Sequence, residues 1–220
     1  MSTSERELPP ERLRQAVVAD LAPVRPLRPP WIRSALLLPL GLLLLAIQPL
    51  GLGVRSDAAA IGPLRLWAFS LVQCLGGFSL FVAALREAVP GRSLRRAGSL
   101  LSLGLLVVVA VTYFTWQASE TTVPAGQAGF FWTVCFTAPF LLGLPVLALA
   151  LLLAWRAYPL RAALVGALCG LGAGLVTDAG WRTFCHVSDP VHVLSAHFAA
   201  VLALCAAGAA AGAVLDRRRR

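Results

Sequence analysis

Six long runs of apolar residues follow one another along the 220-residue chain, separated by short connecting segments. They cover residues 34–54, 64–85, 97–117, 128–154, 161–180 and 190–214. Each is close to the length of about 20 residues that a helix needs to cross a bilayer. Outer-membrane strands alternate apolar and polar residues over about ten positions, whereas the runs here are continuous. The sequence therefore predicts an all-α, polytopic membrane protein with six transmembrane helices.

The composition excludes a soluble fold. Hydrophobic residues make up 58% of the chain and charged residues only 13%, against about 45–50% and about 25% in soluble domains. The segments between the runs are too short for a water-exposed domain of ordinary size. We therefore divide the chain into a polar N-terminal tail (1–33), a transmembrane bundle (34–214) and an Arg-rich C-terminal tail (215–220).

The arginines predict the orientation of the bundle. All 19 basic residues are Arg. Only Arg55, Arg65 and Arg182 fall on one side of the predicted bundle, and the others fall in the two tails and in the second and fourth loops. Because cytoplasmic segments carry an excess of basic residues, both termini are predicted to be cytoplasmic. The net charge of +9 is then a topology signal rather than a nucleic-acid-binding surface.

The N-terminal tail contains one amphipathic pattern. Pro10 can open a helix, and apolar residues then recur at helical spacing: Leu13, Ala16, Val17 and Leu21. A Pro-rich spacer, residues 23–30, ends the pattern. Since a helix this short is marginal by itself in water, its apolar stripe needs a surface. That surface is either a groove in a partner protein or the bilayer, and the pattern does not separate the two.

Two of the five cysteines are predicted to face the outer side. Cys185 lies in the last outer loop, and Cys135 lies about two turns into the fourth run. In an oxidising compartment such a pair can form a disulfide if the Cα atoms come within about 7 Å, and thiolates also bind soft cations. The alternatives are a small buried residue for Cys135 and an unreactive loop thiol for Cys185. Cys74, Cys169 and Cys205 lie within runs and are predicted to be structural.

All three histidines, His186, His192 and His197, occur within twelve residues. Cys185, His186 and His192 are the candidate metal ligands. His192 and His197 are five residues apart, which is not the spacing that places two ligands on one face of an α-helix. The sequence therefore allows a metal site here but does not indicate one.

The fifth run carries an acid, a base and a glycine pattern. Asp178 and Arg182 are four residues apart and are predicted to form an ion pair if the helix continues that far. They lie near enough to the predicted surface to be hydrated. Gly166, Gly170 and Gly174 have the small-xxx-small spacing that permits close helix contact.

Four short motifs occur in a characteristic order relative to the runs. They are ADLAPVRPLRPP at 19–30, AVPGR at 88–92, YPLR at 158–161 and CHVSDP at 185–190. Together they resemble the NrsF-like membrane anti-sigma factors, which are negative regulators of extracytoplasmic-function sigma factors in bacteria. The chain is also similar to the carotenoid regulator CarR, another six-span anti-sigma factor, and these motifs do not separate the two.

The resemblance implies that the N-terminal segment holds an extracytoplasmic-function sigma factor at the bacterial inner membrane, away from RNA polymerase. With the amphipathic stripe, it places the sigma-binding residues at Leu13, Ala16, Val17, Asp20, Leu21, Val24 and Arg25. It also implies that Cys135 and Cys185 sense an envelope redox or metal signal that releases the partner. No cofactor and no direct contact with nucleic acid are expected.

A small membrane transporter or channel is the alternative function. Against it, the runs carry almost no ionisable residues near mid-depth, where substrate and proton pathways usually need them. The sequence contains no paired carboxylates, Ser-His-Asp set or phosphate-binding loop, so we do not expect an enzyme.

Overall fold

The structure, a computed structural model, describes residues 10–20, 26–92 and 94–219. Its regular elements are helices, and no strand occurs among the described residues. Six of the helical segments are long and apolar enough to cross a membrane, and we name them span 1 to span 6 in chain order. Their bounds are Pro30–Leu52, Pro63–Glu87, Ala97–Ala118, Ala128–Trp155, Ala162–Trp181 and Pro190–Arg217. The prediction of an all-α, multi-pass membrane protein is confirmed.

Two of the spans are not continuous α-helices. Span 1 consists of Pro30–Ala35 and Leu38–Leu52. Span 6 begins as an α-helix over Pro190–His192, passes through a π-helical turn at Val193–His197, and continues as an α-helix over Phe198–Arg217. A π-helical turn inserts one extra residue into an α-helix and occurs often at functional sites.

The N-terminal tail forms a helix over Glu11–Ala19, directly after Pro10. None of its residues is buried, and Leu13 and Val17 are each 55% exposed. The predicted binding residues Leu21, Val24 and Arg25 lie outside the described residues. Within the described part of the chain, the apolar stripe of this helix is therefore left open to a partner or a surface.

Span 5 lies at the centre of the bundle and contacts all five other spans. Small residues make these contacts possible. A side chain at Gly166 would overlap the carbonyl of Gly208, and one at Gly170 would overlap the carbonyl of Leu204. Spans 5 and 6 therefore pack almost backbone to backbone, which is the arrangement that small-xxx-small spacing permits.

Six spans place loops 53–62, 119–127 and 182–189 on the side opposite the two termini, which we call the distal side. Arg55 is 4% exposed and joins two of these loops. Its guanidinium donates to the Asp57 carboxylate at 2.5 and 2.7 Å and to the Ser188 hydroxyl at 2.6 Å. The last distal loop, which carries Cys185, is thus tied to the first.

Asp57 connects the middle distal loop, 119–127, to the same cluster. Its carboxylate accepts hydrogen bonds from the hydroxyls of Ser119 at 2.6 Å and Thr121 at 3.4 Å. Burial raises the pKa of Asp57, but the hydrogen bond and charge of Arg55 and the hydrogen bond from Ser119 outweigh burial and hold this pKa below its usual value. The carboxylate is thereby kept ionised where the three distal loops meet.

Candidate functional site

The two distal cysteines lie side by side. The Sγ atoms of Cys135 in span 4 and Cys185 in the last distal loop are 3.5 Å apart. Both residues are free thiols, 3% and 4% exposed. The loop turns back at the end of span 5, where the Cys185 N–H donates to the carbonyl of Trp181 at 2.9 Å. The hydrogen bond from Cys135, together with the nearby His192 and His197 rings, lowers the pKa of the Cys185 thiol.

Two histidines approach this thiol pair. One potential ligand atom from each of Cys135, Cys185, His192 and His197 lies within 4.8 Å of all the others. His192 Nε2 is 3.9 Å from Cys185 Sγ. His186, one of the candidate ligands named from the sequence, is not in this group, and its ring packs edge-on against Phe131.

The π-helical turn explains why His197 joins the group. A π-helix bonds residue i to residue i+5, so residues five apart lie next to each other, and the rings of His192 and His197 are 5.6 Å apart. The Ser195 carbonyl within the turn accepts a hydrogen bond from the Trp132 indole of span 4 at 3.0 Å. In an α-helix, residues five apart lie on different faces, so the sequence does not predict His197 as a ligand beside His192. The clustering of three histidines near a cysteine was the available signal.

The residue that caps the start of span 6 positions His192. Asp189 precedes span 6, and its carboxylate accepts hydrogen bonds from the backbone N–H groups of Val191 and His192, the latter at 3.2 Å. An acidic residue at this position satisfies donors that the first helical turn leaves unpaired. His192 is therefore held at the start of span 6, facing the loop that carries Cys185.

A buried carboxylate orients His197. His197 Nδ1 donates to Asp178 Oδ1 at 2.7 Å, and both residues are almost fully buried. Since Nδ1 is engaged, Nε2 is the nitrogen left to face the thiols, and it has no hydrogen-bond partner among the described residues. The Asp178 Oδ2 atom accepts from Gln73 Nε2 of span 2 at 2.5 Å.

The expected ion pair between Asp178 and Arg182 is present, with Nε to Oδ2 at 2.8 Å. The expectation that it is hydrated is wrong, because the two residues are 0% and 5% exposed. Span 5 is surrounded by the other spans, and Thr112 of span 3 accepts a further hydrogen bond from Arg182 at 2.9 Å. The ion pair is therefore buried within the bundle and is bonded to span 3.

A family model described as NrsF, negative regulator of sigma F, matches residues 17–217. The match runs from within the N-terminal helix to the end of span 6 and so covers most of the chain. The chain belongs to the NrsF family. No curated protein and no solved structure matches it. The resemblance found in the sequence is confirmed at the level of the family, and the similarity to CarR stays a prediction.

Family membership makes this NrsF-family protein a negative regulator with a sigma factor as its partner. Its two notable features lie on opposite sides of the bundle. The open amphipathic helix precedes span 1, whereas the cysteines and histidines cluster among the distal ends of spans 4, 5 and 6. Adjacent thiols can be oxidised to a disulfide or can share a soft cation. The distal cluster is thus chemically able to respond to a signal, and the helix is available to bind a protein.

An apolar shell surrounds the distal cluster in this NrsF-family protein. The buried members of the shell are Trp181, Val187 and Ala196, and Phe131 and Phe184 pack against them. Such a shell keeps water away and strengthens electrostatic interactions within it. Oxidation or ligand binding at the thiols therefore takes place in a confined space.

Proposed function

We propose that the protein is an anti-sigma factor of the bacterial inner membrane. It binds an extracytoplasmic-function sigma factor through a cytoplasmic N-terminal segment and releases it on an envelope redox or metal signal. The observation that carries this proposal is the 3.5 Å approach of Cys135 and Cys185 on the side opposite an open amphipathic helix. The family match supports the regulatory class and offers no support for a transporter or channel.

The arginine distribution supports the proposed orientation. In the sequence, all of the arginines except Arg55, Arg65 and Arg182 fall in the two tails or in the second and fourth loops. The positive-inside rule predicts that these segments are cytoplasmic. The sigma factor and RNA polymerase are cytoplasmic, so the N-terminal helix then shares their compartment. The distal thiols face the envelope, where oxidising conditions prevail.

The proposed sigma-binding surface is one stripe of the N-terminal helix. Leu13, Ala16, Val17 and Asp20 lie along it. Leu21, Val24 and Arg25 lie outside the described residues and are proposed to bind the sigma factor as well. An amphipathic helix binds a groove through residues three and four positions apart. The exposed apolar side chains of Leu13 and Val17 are the proposed anchors.

Release requires two arrangements of the bundle with different affinities for the sigma factor. In the redox form of the signal, a disulfide oxidant of the envelope removes two electrons and two protons from Cys135 and Cys185. One S–S bond forms in the protein, and the S–S bond of the oxidant breaks to give two thiols. The sulfur atoms must then approach from 3.5 Å to about 2.05 Å. This movement draws span 4 towards the loop that follows span 5.

The test is co-purification of the full-length protein in detergent with each extracytoplasmic-function sigma factor of the organism that carries the gene. We expect one sigma factor to be retained, and Val17→Asp to abolish its retention. Val18→Asp is the matched control, because Val18 is 66% exposed on the same helix but lies off the stripe. Equal loss with both variants, or retention with Val17→Asp, would contradict the proposed surface.

The orientation is tested separately by reporter fusions. A fusion of β-galactosidase to the N-terminus should be active, and alkaline phosphatase inserted in the distal loop near Gly126 should be active in the envelope. An N-terminus found outside the cytoplasm would overturn the proposal. A tail that binds only liposomes of anionic lipid, and no sigma factor, would assign the helix to the bilayer.

A further inference from the structure

The Nε2 atom of His197 is a buried nitrogen that lacks a hydrogen-bond partner among the described residues. Buried polar atoms are seldom left unpaired, since an unmet hydrogen bond in an apolar interior costs free energy. His197 is held with this atom free, because its Nδ1 atom is bonded to Asp178 at 2.7 Å. One ring nitrogen of His197 lies within 4.8 Å of the Sγ atoms of two cysteines and of a nitrogen of His192. Since Nδ1 is bonded to Asp178, Nε2 is the nitrogen available to a ligand. Such an arrangement calls for a ligand that accepts four donor atoms at once.

We propose that Cys135, Cys185, His192 and His197 form a tetrahedral site for a soft divalent cation, Zn²⁺ or Cd²⁺. Its role in releasing the partner rests on the proposed function, but the site itself does not. Under this proposal the metal signal is a soft divalent cation, and both histidines bind it together with the two thiolates. His186 has no part in it.

The distances fit this coordination. Tetrahedral zinc with two sulfur and two nitrogen ligands holds the metal at about 2.3 Å from sulfur and about 2.0–2.1 Å from nitrogen, which separates the ligand atoms by about 3.3–3.8 Å. The Sγ atoms of Cys135 and Cys185 are 3.5 Å apart, and Cys185 Sγ is 3.9 Å from His192 Nε2. The full group spans no more than 4.8 Å, so a small contraction closes it around an ion.

The charges also fit. The two thiolates balance the charge of a divalent cation, and the two neutral imidazoles add no charge. This balance matters because an unbalanced charge is costly in a buried, apolar site. Asp178 lies next to the group, but its charge is already balanced by Arg182 at 2.8 Å. The bound site would therefore carry no net charge within the apolar shell.

Asp178 is a positioning residue, because it bonds the ring of the proposed ligand His197. A metal-bound histidine commonly donates its second ring nitrogen to a carboxylate, which fixes the orientation of the ring. Asp178 also accepts hydrogen bonds from Gln73 of span 2 and from Arg182, which directly follows span 5. Any movement of His197 on metal binding is thereby passed to the centre of the bundle.

The test is titration of the purified, reduced full-length protein with Cd²⁺ in detergent, followed by calorimetry and by the ultraviolet thiolate-to-cadmium absorption. We expect one Cd²⁺ per chain and at least tenfold weaker binding in His192→Ala and in His197→Ala. His186→Ala and Cys205→Ser are the matched controls and should bind like the wild type. Asp178→Asn should bind about 10–100-fold more weakly, with an altered Co²⁺ visible spectrum, and Asp178→Glu should restore part of the affinity.

The proposal is overturned if the wild type binds no Cd²⁺, or if His192→Ala and His197→Ala both keep the wild-type affinity and spectrum. The latter result would show a two-thiol site without histidines. The His197→Ala variant loses the contact with Asp178 and could fail to fold for that reason. In that case the Cd²⁺ affinity of His192→Ala decides whether histidines bind the metal, because His192 is not bonded to Asp178. No sigma factor is present in this experiment, so its outcome is separate from the success or failure of the proposed function.

Discussion

Nδ1 of His197 in span 6 lies 2.7 Å from the Asp178 carboxylate of span 5, and both side chains are buried. The carboxylate is shared with Arg182, which in turn bonds Thr112 of span 3. One side of His197 therefore faces the distal cysteines, and the other side is connected to the core of the bundle. This contact connects the distal cluster to spans 5 and 3 through Asp178, Arg182 and Thr112.

Replacement of both Cys135 and Cys185 by Ser is expected to leave sigma-factor capture intact and to remove the response to the signal. Serine keeps the size of the side chain but neither forms a disulfide nor binds soft cations well. The measurement is transcription from a promoter of the captured sigma factor, with and without Cd²⁺ or a disulfide oxidant. Cys74→Ser combined with Cys205→Ser is the control. An unchanged response in the Cys135 and Cys185 double variant would refute the thiol mechanism.

Oxidation and metal binding are expected to exclude each other. A disulfide between Cys135 and Cys185 removes the two thiolates that the cation requires, so protein oxidised with diamide should lose Cd²⁺ binding, and reduction should restore it. Non-reducing peptide mapping checks the linkage, which should join these two residues and leave Cys169 unmodified. A different linkage, or full Cd²⁺ affinity after oxidation, would be inconsistent with the geometry.

Asp57→Asn is expected to destabilise the protein by about 3 kcal/mol at neutral pH, because it leaves the buried Arg55 guanidinium without its counter-charge. The free energy of unfolding in mixed detergent micelles measures this. Glu120→Gln is the matched control, since Glu120 is an exposed carboxylate of a distal loop. Equal stability of the two variants would show that the cluster of Arg55 and Asp57 does not hold the loops.

The pH dependence of this effect has a defined sign. The folded-state pKa of Asp57 is lowered, so its contribution to stability is complete above the unfolded pKa of about 3.9 and is lost as the pH falls through the lower folded value. The difference between the wild type and Asp57→Asn should therefore shrink as the pH falls below about 4. A difference that stays constant down to strongly acidic pH would contradict this assignment.

Gly170→Ala is expected to destabilise the bundle by about 2 kcal/mol, because the new Cβ would overlap the carbonyl of Leu204 and force spans 5 and 6 apart. Gly129→Ala is the matched control. Gly129 lies in the first turn of span 4 with no heavy atom near the position of an added Cβ, and this substitution should be neutral or mildly stabilising. The two free energies of unfolding are compared in mixed detergent micelles. Equal values would argue against backbone-to-backbone packing of the two spans.

The sequence alone determined the helical class, the six spans and the existence of the tail helix after Pro10. These features depend on the length and spacing of apolar residues, which are local properties of the chain. The ion pair of Asp178 and Arg182 was also accessible, because four residues make one turn of a helix. The hydration expected for this pair was wrong, since burial depends on how many neighbours surround span 5.

The tertiary structure alone decided which side chains come into contact at the distal side. Cys135 and Cys185 are 50 positions apart, and their contact depends on how span 4 packs against the end of span 5. His197 joins them only through the π-helical turn, which no residue spacing specifies. Arg55 joins loops that are more than 120 positions apart. Apolar length determines that a helix crosses the bilayer, but side-chain packing between helices determines its neighbours, and the candidate site is made entirely of such neighbours.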